Sequence, residues 1–136
     1  MQAPPLTVGQ YMTRDPFIID GGLNLVDAYT RMFQLEVRHL PVYSSGHLVG
    51  IITDRDIGHI LAIRGLDPQR TTVDAVCTPT PYVCAPEDAL APVVAHMSQK
   101  KLGAALVMKG GQLLGIFTVI DALDVLHGLL EPTPAA

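Results

Sequence analysis

The chain has 136 residues, about half of them apolar, no Trp, and a formal net charge of −4. That length holds one compact domain or two half-size units that share a core, and the apolar content suffices to build it from Val, Leu, Ile, Met and Ala. The slight negative charge argues against nucleic acid as a partner, because neutralising its phosphates takes clustered Lys and Arg; it leaves room for one small anion in a local pocket.

The first residues, Met1-Gln2-Ala3-Pro4-Pro5, carry no basic segment followed by an apolar run, so no secretory leader is expected. Asp, Arg, Gly or Pro breaks each long apolar stretch well short of a membrane span. An extended segment is predicted over 16–19. A helix follows, with Leu25, Ala28, Tyr29, Met32 and Phe33 on one face, Asn24 as its N-cap and Asp27 three residues on. A hairpin comes next, strands 39–43 and 48–52 around the turn 44–47. A second helix starts at Thr53 and ends near Arg64, with Gly65 as its C-cap.

After 67–72, read as a linker, the series repeats. The extended segment is 81–84. The helix carries Leu90, Val93, Val94 and Met97, with Asp88 as the expected cap and Pro92 in the first turn, where a missing N–H is tolerated. Strands 104–108 and 113–117 flank the turn 109–112. The last helix runs from Thr118 to about Leu130, and the Pro- and Ala-rich tail 131–136 is expected to fray.

The repetition is in one register. Gly50-Ile51-Ile52-Thr53-Asp54-Arg55-Asp56 recurs as Gly115-Ile116-Phe117-Thr118-Val119-Ile120-Asp121, an offset of 65 residues. Without a gap, that offset pairs Val8 with Val73, Thr13 with Thr78, Leu25 with Leu90, Met32 with Met97 and Val42 with Val107. We read a duplication: repeat 1 over 6–66, repeat 2 over 73–130. Two copies are too few for a solenoid; two βαββα units packed as a pseudo-twofold pair, with small mixed sheets covered by helices, is the expected α/β (α+β) arrangement.

Thr53 and Asp56, like Thr118 and Asp121, stand where a strand becomes a helix. The first N–H groups of a helix lack intrahelical partners and favour an anion. A carboxylate one turn on can accept two hydrogen bonds, as from the vicinal hydroxyls of a ribose. Gly50 and Gly115, three residues earlier, leave room for a flat group to approach the strand. The competing reading is a capping box, in which Thr and Asp satisfy each other's amides and nothing more. Both readings stay open on the sequence.

The doubled Gly-h-h-Thr-x-x-Asp, with h apolar, resembles the cystathionine-β-synthase (CBS) domain. So do Tyr11-Met12-Thr13 and Arg38-His39-Leu40-Pro41-Val42. The resemblance covers residues 6 to 128 and implies a tandem pair, or Bateman module, with clefts between the copies. Such modules bind AMP, ADP, ATP or S-adenosylmethionine as a regulatory ligand, usually form homodimers, and regulate an attached or separate effector protein. Carried over residue by residue, it implies a first site in which Thr53 and Asp56 hold the ribose. Arg38 would face the phosphate with His39 and Arg55 nearby, and the strand around Tyr82 and Val83 would bracket the base. A second site would use Met12, Thr13, Thr118 and Asp121, with Phe17 and Ile18 against the base. Gly103 and Ala104 replace Arg38 and His39 there, and Val119 and Ile120 replace Asp54 and Arg55. The second site is therefore expected to be empty, weak, or suited to a less anionic ligand.

Other chemistry is poorly supported. Cys77 and Cys84, the two cysteines, have no His at zinc-ligand spacing and read as reduced thiols of a cytoplasmic protein. No metal site and no catalytic residue is expected: there is no phosphate-binding Gly-x-x-x-x-Gly-Lys and no nucleophile with a nearby base. The alternative to a sensor is a structural homodimer, joined through apolar helix faces bearing Ile57, Ile60 and Leu61 or Ala122, Leu123 and Leu126.

Overall fold

The computed structural model describes residues 5–63 and 65–132, so Arg64 and the last four residues of the tail lie outside it. The first half contains α1 (Val8–Tyr11), β1 (Thr13–Arg14), β2 (Ile19–Asp20), α2 (Leu25–Leu35), β3 (His39–Ser44), β4 (His47–Thr53) and α3 (Asp54–Leu61). The second contains α4 (Val73–Val76), β5 (Val83–Cys84), α5 (Leu90–Lys100), β6 (Ala104–Lys109), β7 (Gln112–Thr118) and α6 (Val119–Leu130). This is a mixed α/β fold with two small mixed sheets. One has the order β2-β3-β4 and the other β1-β7-β6-β5. In each, a short strand pairs in parallel with the first hairpin strand, and the hairpin itself is antiparallel.

The two compact units are not the two sequence repeats. One unit is Pro16–Pro81; the other joins Met1–Asp15 to Tyr82–Ala136. Each unit thus takes its leading segment from the other repeat. Val8 N–H donates to Asp88 C=O at 3.0 Å and Leu90 N–H to Leu6 C=O at 2.7 Å. Sixty-five residues on, Val73 N–H donates to Leu23 C=O at 2.8 Å and Leu25 N–H to Thr71 C=O at 3.0 Å.

The cores match in the same register. Ile19, Leu25, Ala28, Met32, Leu40, Val42, Ile52, Ile57 and Val73 form one. Val8, Cys84, Leu90, Val93, Met97, Ala105, Val107 and Phe117 form the other. Volume lost at Leu40/Ala105 is offset at Ala28/Val93 and Ile52/Phe117, as close packing demands. Ile57, expected on an exposed face, is fully buried in the first core, because it is the α3 residue that closes over the sheet. Conversely Tyr29 and Phe33 of the predicted α2 face are exposed, while Leu25, Ala28 and Met32 are buried; the buried stripe is narrower than the apolar one. Val94 is likewise exposed on α5.

Local signals explain the element ends. Asn24 caps α2 by accepting from Asp27 N–H at 2.8 Å. Ser45 and Gly46, and Gly110 and Gly111, have positive φ, which is the two-residue turn that suits the twist of a hairpin. Two expectations fail. Ala89, not Asp88, occupies the N-cap of α5, because the Asp88 carboxylate instead accepts from Ala85 N–H at 2.8 Å. The helix α3 stops at Leu61 with Ala62 as its C-cap, so Gly65, although its φ is +84°, lies beyond the helix end.

Gly50 and Gly115 are required by close approach of the chain itself. A Cβ on Gly50 would fall onto the carbonyl oxygen of Thr78 and within 3.0 Å of Cys77 Sγ. A Cβ on Gly115 would lie 2.7 Å from the Thr13 carbonyl and 2.6 Å from Met12 Sδ. The space expected for a flat ligand group is taken by the segments that pair there, Thr78 with Ile51 and Thr13 with Ile116. Gly50→Ala is therefore predicted to cost about 1–3 kcal/mol in urea unfolding, as overpacking against backbone does. Gly58→Ala, on the exposed side of α3 with no atom within 4 Å of the new Cβ, is predicted to raise stability by up to about 1 kcal/mol.

Candidate functional site

Each Thr-x-x-Asp forms a capping box. Thr53 Oγ1 accepts from Asp56 N–H at 3.0 Å, and Asp56 Oδ2 accepts from Thr53 N–H at 3.3 Å. Thr118 Oγ1 accepts from Asp121 N–H at 3.3 Å, and Asp121 Oδ2 accepts from Thr118 N–H at 2.9 Å. The capping role is thus real at both ends, and any ligand role must use what capping leaves over. Asp56 Oδ1 has no hydrogen-bond partner among the described residues.

The β3–β4 register places His39 opposite Thr53, and Asp54 N–H donates to the Arg38 carbonyl at 3.1 Å. Arg38, His39, Thr53, Arg55 and Asp56 thereby gather at one end of the three-stranded sheet. Arg38 and Arg55 are exposed and in no ion pair among the described residues. His39 is half-buried. Lost hydration pulls its pKa below the ordinary 6.5, against the attraction of Asp54 and Asp56 and with the repulsion of Arg38. The lowered pKa favours the neutral ring in the fold at neutral pH.

The other unit repeats the backbone without the charges. Ala104 stands opposite Thr118, and Val119 N–H donates to the Gly103 carbonyl at 3.0 Å. Met12, Thr13, Thr118 and Asp121 come together here, since β1 lies on β7. Thr13 adds a contact that sequence reasoning missed: its hydroxyl donates to Asp121 Oδ1 at 3.0 Å. The matched Thr13/Thr78 pair marked the position, but a side-chain bond across 108 residues leaves no sequence signal.

Phe17 and Ile18 are exposed and belong to the unit that carries Thr53. Tyr82 and Val83 belong to the unit that carries Thr118. The Tyr82 ring is half-buried and stacks on His96, ring centres 4.2 Å apart; nothing in the sequence linked these two. Val83 is exposed. The thiols offer little nucleophilic chemistry: burial pushes Cys84 up to about 11 and also raises Cys77.

The unit containing α6 also holds an apolar cavity of about 440 Å³ lined by residues such as Leu6, Leu90, Val94, Val125, Leu126 and Leu129. Neither Thr118 nor Asp121 lines it. Among the described residues no helix is long and apolar enough to cross a membrane.

The duplicated fold has counterparts among known proteins. The family model described as the CBS domain matches residues 8–62 and again 73–128. The chain belongs to the CBS domain family. Its fold is that of solved CBS domain pairs. A protein of Vibrio cholerae provisionally assigned to acetoin utilization is 27% identical, with a TM-score of 0.83 over 96% of this chain and all of that one. The CBS domain pair of protein MJ0100, solved with 5′-methylthioadenosine and S-adenosyl-L-methionine, is 23% identical, with a TM-score of 0.83 over 93% of this chain and 99% of that one. CBSX2, solved with AMP, is 22% identical, with a TM-score of 0.79 over 92% of this chain and 98% of that one. Among curated proteins, a homoserine O-acetyltransferase of Methanohalobium evestigatum is 27% identical over 116 residues. Those residues are 84% of this CBS chain and 23% of that protein, so the chain spans less than a quarter of the relative's length.

The depressed His39 pKa fixes a pH dependence. The neutral ring is the form the fold favours, so its stability contribution is present above pH 6.5 and lost as pH falls through the lowered folded value. Urea midpoints measured from about pH 7.5 to about pH 5 are predicted to fall more steeply for the natural protein than for His39→Gln, which has no proton to take up.

Proposed function

We propose that this CBS pair is a regulatory module that binds an adenine nucleotide or adenosyl compound in the cytoplasm and passes the event to a partner protein. Asp56 carries the reading. Among the described residues it caps α3 with one oxygen and has no partner on the other, and Arg38 and Arg55, near the same helix N-terminus, are in no ion pair. A free carboxylate oxygen suits a ribose diol, and the arginines suit phosphate. The ligands solved with protein MJ0100 and with CBSX2 are all adenosine derivatives, which supports that ligand class here.

In this proposal Thr53 and Asp56 hold the ribose, and Arg38, His39 and Arg55 face the phosphate. Thr118 and Asp121, with Met12 and Thr13, form the weaker counterpart, since Gly103, Ala104, Val119 and Ile120 supply no charge. We assign the chain no catalytic role; its similarity to an acetyltransferase covers 23% of that enzyme.

One observation favours a second reading, a structural homodimer. No residue of α6 is buried, and Val119, Ile120, Leu123, Leu126, Leu129 and Leu130 are each about half exposed or more. That much apolar surface on one helix suits a protein interface. Leu61, on α3, is also half exposed, whereas Ile57 is not available. A dimer whose melting point ignores every adenosine derivative supports this reading over the sensor.

Calorimetry with AMP is predicted to show saturable binding and a concentration-dependent rise in melting temperature. Asp56→Asn, which keeps an acceptor for the Thr53 amide, is predicted to weaken AMP at least about tenfold. Absence of any heat or melting shift with millimolar AMP, ADP, ATP and S-adenosylmethionine contradicts the sensor.

A further inference from the structure

The two Thr–Asp pairs differ by two contacts, of which one comes from outside the capping box. A carboxylate offers about four acceptor positions. At Asp121 three are taken: Oδ2 accepts from the Thr118 N–H at 2.9 Å and the Thr118 hydroxyl at 3.2 Å, and Oδ1 accepts from the Thr13 hydroxyl at 3.0 Å. At Asp56 one is taken, by the Thr53 N–H, among the described residues. A vicinal diol donates two hydrogen bonds. Asp56 has room for both, and Asp121 does not.

The backbone does not cause the difference. Thr13 pairs with Ile116, and Thr78, 65 residues on, pairs with Ile51 in the same antiparallel sense. Thr78 N–H and C=O bond to Ile51 at 2.9 and 3.0 Å, yet no hydrogen bond joins the Thr78 side chain to Asp56. Two hydroxyls separate the two ends: that of Thr118 shares the capping oxygen Oδ2, and that of Thr13 alone takes Oδ1.

We propose that Thr13 occupies the diol position of the second site from within the chain, so that this site admits a ribosyl ligand only when the Thr13 hydroxyl is displaced. Thr13 is then a specificity-determining residue that competes with the ligand instead of holding it, and it limits the chain to one ribosyl ligand. The inference rests on the nucleotide reading of Thr-x-x-Asp. It changes one part of that reading: the second site is closed by an occupant, beyond merely lacking phosphate-binding charges.

Adenosine is the probe, because it carries no phosphate and so does not depend on the missing arginine. Calorimetry compares the natural chain with Thr13→Val, Asp56→Asn and the double variant. The natural chain is expected to bind one adenosine, Asp56→Asn to lose it, and Thr13→Val to gain a second. The double variant is expected to bind one adenosine at least about tenfold more tightly than Asp56→Asn alone. Thr13→Ala should behave like Thr13→Val and serves if the valine variant folds poorly; Thr13→Ser, which keeps the hydroxyl, should stay closed. Thr78→Val, the matched change, should bind as the natural chain does. A double variant no better than Asp56→Asn, or a natural chain that binds two adenosines equally, overturns the role of Thr13 and leaves the nucleotide reading standing. A natural chain that binds no adenosine and no AMP overturns the nucleotide reading, and this inference with it.

Discussion

The N-termini of α3 and α6 set the terms for everything else in this protein. A helix that starts directly from a strand leaves amides without partners. Here a Thr three residues before an Asp satisfies two of them reciprocally. The cap needs one carboxylate oxygen, and an Asp has two. Whether the second oxygen is idle, held by another side chain, or offered to a ligand decides what each end can do. Among the described residues nothing bonds the second oxygen of Asp56, whereas Asp121 gives its second oxygen to Thr13. Capping and the proposed binding role are therefore compatible: the cap holds the carboxylate in place, and the proposed recognition uses only what remains of its acceptor capacity.

Duplication explains how so short a chain builds two cores. Each repeat lends its leading segment, α1–β1 or α4 with Thr78, to the unit whose sheet comes from the other repeat. Val8 and Val73, matched in sequence, are fully buried in opposite cores. The glycines before the capping boxes belong to this exchange, since the lent segment crosses directly over them. The same crossing brings Thr13 within reach of Asp121. A feature that first suggests ligand access is thus a packing requirement whose by-product is the Thr13–Asp121 hydrogen bond.

Much of this was legible in the residues. The offset of 65 located both hairpins and both capping boxes, because these rest on short-range chemistry: apolar alternation, a positive-φ turn and a Thr–Asp spacing. It did not reveal that the units exchange segments, since a repeat boundary records ancestry and not contact. Asp88 misled as a cap because its side chain had a nearer amide, on Ala85, to satisfy. Tyr29 and Phe33 misled because an apolar residue on a helix need not face the core of its own unit. In the candidate site, the cluster of Arg38, His39, Thr53, Arg55 and Asp56 could be drawn from the family resemblance, and the hairpin register brings it together. The Thr13–Asp121 bond and the Tyr82–His96 stack could not be drawn, because side-chain meetings over long separations depend on rotamers.

The free oxygen of Asp56 is the point on which the account turns, and a chemical double cycle isolates it. AMP and 2′,3′-dideoxy-AMP are titrated into the natural chain and into Asp56→Asn. If the carboxylate reads the diol, removing the two hydroxyls costs at least about tenfold in the natural chain and little in the variant. Equal losses in both proteins would mean that Asp56 caps its helix and does nothing else.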